Sequence, residues 1–212
     1  MRKEWRTEFR NPSILLAGLL FSLGSMMAIS LAAFSTKLSG TLGAGLYWVA
    51  LLFASLLTAP RRFTNEEEQR TGDLLRLVAR PHSVFWGKAL WVLAELAANA
   101  IVLAGTFLLF TGQNVAQPGI FAVGLFGTVL ALAGATSVSG AMASRARQST
   151  GLAATLALPL LLPIIFLGMA ALRTGLGDGV VENGWRSAVG LVGYGIASLA
   201  VGPYLFAAVW KR

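Results

Sequence analysis

An all-α integral membrane protein with six transmembrane helices is what this sequence predicts, and three observations carry that expectation. The chain has 212 residues, 56% of them hydrophobic and only 12% charged, about half the charged fraction of a soluble globular protein. Its apolar residues fall into six runs, and a run of about 20 residues crosses a hydrocarbon core of about 30 Å. Fourteen of the 17 lysines and arginines sit at the two ends, in alternate links or, for Lys88, at the mouth of the third span, as a chain threaded repeatedly through a bilayer distributes them. Such a composition excludes a disordered protein, a collagen and an ordinary soluble enzyme. Six spans leave short loops and no room for a folded ATPase or other catalytic domain.

The first twelve residues are too charged to span. If 2–10 is helical, Trp5 and Phe9 share one face and Arg2, Lys3, Arg6 and Arg10 lie on another, which suits a short interfacial helix at an anionic membrane surface. Asn11 and Pro12 then stand as N-cap and first helical residue of the first span, 14–34. That run is longer than a signal-peptide core and is followed by no soluble domain, so it is expected to remain as a span. The further spans are expected at 42–59, 84–110, 119–143, 150–172 and 187–209, all in a single membrane domain covering 1–212. Trp48, Trp86 and Trp210 are expected near span ends, where an indole suits the interface. With six spans, both termini and the links at 60–83 and 144–149 share one side. Only Lys37, Arg173 and Arg186 lie opposite, so both termini are expected in the cytoplasm. The formal charge of +8 is thereby a topology signal, and no nucleic-acid partner is expected.

The polar link at 60–83 carries most of the information. Its stretch RRFTNEEEQRTGDLLRLVARP at 61–81 pairs Thr64 with Glu67 as a capping box, and Glu66, Glu67 and Glu68 load the first turn with favourable negative charge. Thr71, Leu74, Leu75 and Val78 then share a stripe, with Arg70, Asp73, Arg76 and Arg80 largely off it. Pro81 ends the element. A short amphipathic helix of this kind offers its leucine face to another protein, to the bilayer surface or back onto its own spans.

Within the spans, Glu95 is the single carboxylate. It stands about 16 Å above Val84 at helical rise, close to mid-membrane, where a carboxylate is costly unless protonated, paired or turned to the interior. Asn99 follows one turn on, and Lys88 precedes by two turns. Both a role in gating or ligand contact and a plain packing role fit this pattern. Pro159 and Pro163, one turn apart in the fifth span, each remove a backbone donor, either as a fixed bend or as a hinge. Ala131, Ala135, Ser139 and Ala143 form a small-residue stripe at i+4 spacing in the fourth span, which favours close packing inside the chain or across a dimer. The chain has no cysteine, one histidine and nine acidic residues, so neither thiol chemistry nor a self-contained metal site is expected. His82, beside Pro81, is expected to be a solvated turn residue. No GxxxxGK[ST] loop is present.

The ordered segments GLYWVALLFASLL at 45–57, TGDLLRLVARP at 71–81, VFWGKAL at 84–90 and LALPLLLPIIFLG at 156–168 resemble the heme exporter protein B (CcmB) family, the permease subunits of cytochrome c maturation. The two prolines four apart, followed by a phenylalanine and a small residue, look like that family's signature. This resemblance implies an ABC-2-like permease architecture with a cytoplasmic coupling helix between the second and third spans. Phe63, Glu66, Glu67, Glu68, Gly72, Asp73, Leu74, Leu75, Leu77 and Pro81 would make up that ATPase-coupling segment. Pro159 and Pro163 would be its helix-shaping motif, beside the intramembrane polar candidates Glu95 and Asn99.

The same resemblance implies a non-catalytic subunit in the bacterial inner membrane. ATP would be bound by a separate CcmA-like subunit, and haem would be the substrate of the complex rather than a cofactor held stably by this chain. The implied partners are haem-handling membrane subunits, the haem chaperone and a second permease copy. Residues alone leave two alternatives open: an ABC-2-like export permease for a lipid, drug or polysaccharide, and a stand-alone secondary carrier.

Overall fold

The computed structural model describes residues 13–33, 38–58, 80–143 and 149–210. Among the described residues six α-helices follow one another: α1 Ser13–Ala33, α2 Gly40–Thr58, α3 Pro81–Thr111, α4 Pro118–Ala143, α5 Ser149–Gly175 and α6 Val181–Trp210. The protein is an all-α, multi-span membrane protein. Stretches long and apolar enough to cross a bilayer occur in α3, α4, α5 and α6, and shorter apolar stretches, Leu16–Ala32 and Gly40–Leu56, occupy α1 and α2.

The helix ends follow local chemistry. Pro81 opens α3, where its missing N–H costs nothing, after Arg80 in extended conformation (φ −78°, ψ 137°). Gly112, at φ 64°, closes α3 in the left-handed conformation and donates its N–H to the Leu108 carbonyl at 3.1 Å. At the start of α2, the Ser39 hydroxyl accepts from the Leu42 N–H (3.2 Å) and the Asp178 carboxylate from the Thr41 N–H (2.7 Å). Two of the orphan donors of that terminus are thereby satisfied. α6 begins at Val181, several residues before the apolar run at 187–209, because Glu182 and Arg186 form an exposed i,i+4 ion pair on its first turns.

At the centre lies α4, packed most extensively on α6 and then α5. Every residue from Gly127 to Ala141 in it is buried, as expected for a helix that is apolar all round. Small residues set the closeness. A Cβ built on Gly195 of α6 would stand 2.8 Å from the backbone of Leu130 and Ala131, so only glycine admits this approach. The stripe of Ala131, Ala135, Ser139 and Ala143 is buried throughout, and the Gly195 contact gives it a partner inside the chain. α3 bridges α4 and α6 to α1, and α1 packs mainly on α2 and α3. Leu20 and Leu31 of α1, Ile101 and Leu109 of α3 and Phe166 of α5 are exposed.

Candidate functional site

The core-facing stripe of α3 runs through Phe85, Lys88, Val92, Glu95, Asn99 and Leu103, the three- and four-residue spacing that keeps side chains on one helical face. Lys88, Glu95 and Asn99 are therefore all buried, at 5%, 2% and 0% exposure. Glu95 lies about 21 Å along the helix from Pro81, near the middle of its 31 residues.

Asn99 is the junction of this site. Its Nδ2 donates to the Glu95 backbone carbonyl (3.2 Å), and its Oδ1 accepts from the Ser22 hydroxyl of α1 at 3.4 Å. One residue further, the Ala100 carbonyl accepts from the Tyr47 hydroxyl of α2 at 3.0 Å. Near its far end, the Phe110 carbonyl accepts from Ser30 of α1 at 3.1 Å. Asn99 and the hydroxyls of Ser22 and Tyr47 thus join three helices midway along α3, one turn from the buried Glu95, where polar groups need partners from neighbouring helices. They can orient, hold a proton or order a small polar group. Among the described residues no group of three His, Cys, Asp or Glu could hold a metal ion.

The expected site residues fall into separate places. Glu95 and Asn99 come together as their spacing predicts. Pro159 and Pro163 lie elsewhere, inside α5. Of the coupling segment, Phe63, Glu66, Glu67, Glu68, Gly72, Asp73, Leu74, Leu75 and Leu77 lie outside the described residues, and Pro81 is the first residue of α3. The basic residues at 1–12 also lie outside them.

Two expectations are corrected. Trp48 is no interfacial anchor: it is 3% exposed, its Nε1 has no hydrogen-bond partner among the described residues, and its ring lies against Gly168 of α5, which has no side chain to exclude it. His82 is exposed but sits in the first turn of α3, with its ring edge-on to Tyr204 of α6 at 5.5 Å. Residue patterns also passed over Ser22, Asp178 and Tyr194. The signal for Ser22 was available in its i+4 series with Gly18, Met26 and Ser30. Gly18, Ser22 and Met26 are buried and Ser30 half-buried.

Similarity to known proteins bears on this arrangement. A profile of the family described as CcmB protein matches residues 1–211. The chain is 32% identical over 199 residues to the heme exporter protein B of Pseudomonas aeruginosa, covering 87% of this chain and 83% of that protein. It is 28% identical over 212 residues to the heme exporter protein B of Bradyrhizobium diazoefficiens, covering 98% of this chain and 94% of that one. The chain belongs to the CcmB protein family and is a non-catalytic, multi-span permease subunit of an ABC-type cytochrome c maturation complex.

Proposed function

We propose that this subunit couples ATP hydrolysis on a separate CcmA-like partner to haem delivery, or to release of the haem-loaded periplasmic chaperone. The observation that carries this reading is the family match over residues 1–211, which includes the polar link between α2 and α3. In that link, the spacing of Thr71, Leu74, Leu75 and Val78 predicts an apolar helical stripe on a largely charged segment. Burying one leucine against a partner is worth about 1.5–3 kcal/mol, enough for a docking contact.

The proposal takes six spans with both termini in the cytoplasm, from the partition of basic residues, an interfacial helix at 1–12 and a coupling helix within 60–83. Two permease copies, the ATPase, haem-handling membrane subunits and the haem chaperone complete the assembly, with haem as cargo. Glu95 and Asn99 lie on α3, directly after the coupling segment, and are placed to pass a movement of that segment into the membrane. Replacing Leu74 and Leu75 together by Asp tests this. Co-purification of the ATPase should fall while the membrane protein remains inserted. Unchanged ATPase recovery at equal membrane-protein levels would remove the coupling assignment.

A further inference from the structure

The two halves of α5 are held very differently. From Ile164 onward the helix is clamped. Ile164, Gly168, Ala171, Leu172, Thr174 and Gly175 are buried. Trp48 lies on Gly168, and a Cβ on Gly124 of α4 would stand 2.9 Å from that of Ala171. The Gln117 N–H donates to the Gly175 carbonyl at 2.9 Å. Before Ile164 the packing loosens: over 155–163, Thr155, Leu158, Pro159 and Leu162 are exposed, and Ala157 and Leu161 alone are buried.

The prolines mark the border. Pro163 cannot donate to the Pro159 carbonyl, nor Pro159 to the Thr155 carbonyl, so two successive turns each lose a backbone bond. In this weakened stretch the Tyr194 hydroxyl of α6 donates to the Leu160 carbonyl at 2.9 Å. Beside that bond lies an open apolar groove of about 260 Å³ lined by Ala135, Val138, Leu160, Tyr194 and Ser198, among others. A clamped half, a weakened joint, a cross-helix bond and an adjacent open groove make up a hinged arm with its latch.

We propose that the N-terminal half of α5 swings about the Pro159–Pro163 joint and that the Tyr194 hydroxyl is the latch holding it in the observed position. The inference stands on helix packing alone and does not need the coupling assignment of the 60–83 segment. Tyr194 acts here as a positioning residue, through Leu160.

The chain has no cysteine, so introduced pairs can be spin-labelled without background in the full chain in lipid nanodiscs. A label at Leu109, near the end of α3, is paired with Leu158 on the arm or with Phe166 on the clamped half; all three are exposed. Leu158 lies five residues, about 7.5 Å, from Pro163, so a swing of about 20° displaces it by about 2–3 Å. Tyr194→Phe should add a Leu109–Leu158 population displaced by that amount and leave Leu109–Phe166 unchanged. Adding Pro163→Ala, which restores the missing donor, should return a single population. An unaltered Leu109–Leu158 distribution in Tyr194→Phe overturns the proposal. So does equal broadening of both pairs, which means general loosening, and so does failure of Pro163→Ala to restore the single population.

Discussion

The indole of Trp48 occupies the space that any side chain at Gly168 would fill: a Cβ built there stands 2.1 Å from Trp48 Cζ2. These residues lie 120 positions apart in sequence, and their contact fastens α2 to the clamped half of α5. A methyl group at 168 forces either the ring or the helix to move. Gly168→Ala should therefore destabilise by about 1–3 kcal/mol, the usual cost of overpacking a filled core. Trp48→Leu in the same chain should recover part of the loss. Thermal unfolding in detergent, followed by tryptophan fluorescence, checks this, and a wild-type midpoint for Gly168→Ala would contradict the packing.

Asp178 joins the loop between α5 and α6 to the start of α2 through the Thr41 N–H. Its backbone N–H in turn donates to the Arg173 carbonyl at 2.9 Å. Removing the carboxylate leaves an N-terminal donor without its acceptor and withdraws a favourable charge from the helix dipole. Asp178→Ala should cost about 1 kcal/mol, and Asp178→Asn less, because an amide oxygen still accepts. Equal midpoints for all three proteins would show that the contact contributes nothing.

Glu95 is buried near the middle of α3, where a charged carboxylate is expensive and a neutral one is tolerated. Glu95→Gln keeps size and hydrogen-bonding capacity, so mature c-type cytochrome should remain near the wild-type level. Glu95→Leu keeps bulk and loses all polarity, and should lower it. The readout is haem staining at matched membrane-protein levels. A severe loss in Glu95→Gln would mean that an ionised carboxylate is needed.

The orientation is checked with single cysteines and a membrane-impermeant thiol reagent. Cysteines at Lys37 and Asn114 should label from outside the inner membrane, and those at Arg70 and Gln148 should not. The partition of basic residues predicts this pattern, and the reverse pattern would invert the topology.

Legibility in the sequence was uneven, for physical reasons. The apolar runs gave the helices because bilayer thickness sets their length. The start of α6 was missed because Glu182 and Arg186 make its first turns polar, while their i,i+4 pairing still suits a helix. The Glu95–Asn99 pair was readable from a spacing of four within one helix. The Ser22–Asn99 bond was not, because a hydrogen bond between helices depends on how they pack. The same holds for Trp48: its position in the chain suggested an anchor, and a glycine far along the sequence made it core. The stripe from Ala131 to Ala143 announced close packing, but only the structure identified Gly195 as the residue packed against Ala131.

The most direct test of the account is complementation of a strain lacking this gene, with its partner subunits present and mature c-type cytochrome measured by haem staining. The unaltered chain should restore the haem-stained cytochromes. The Leu74→Asp, Leu75→Asp variant, inserted at equal level, should not, because the ATPase no longer engages the subunit. Normal cytochrome c maturation in the strain without the gene, or full restoration by the double variant, would contradict the account.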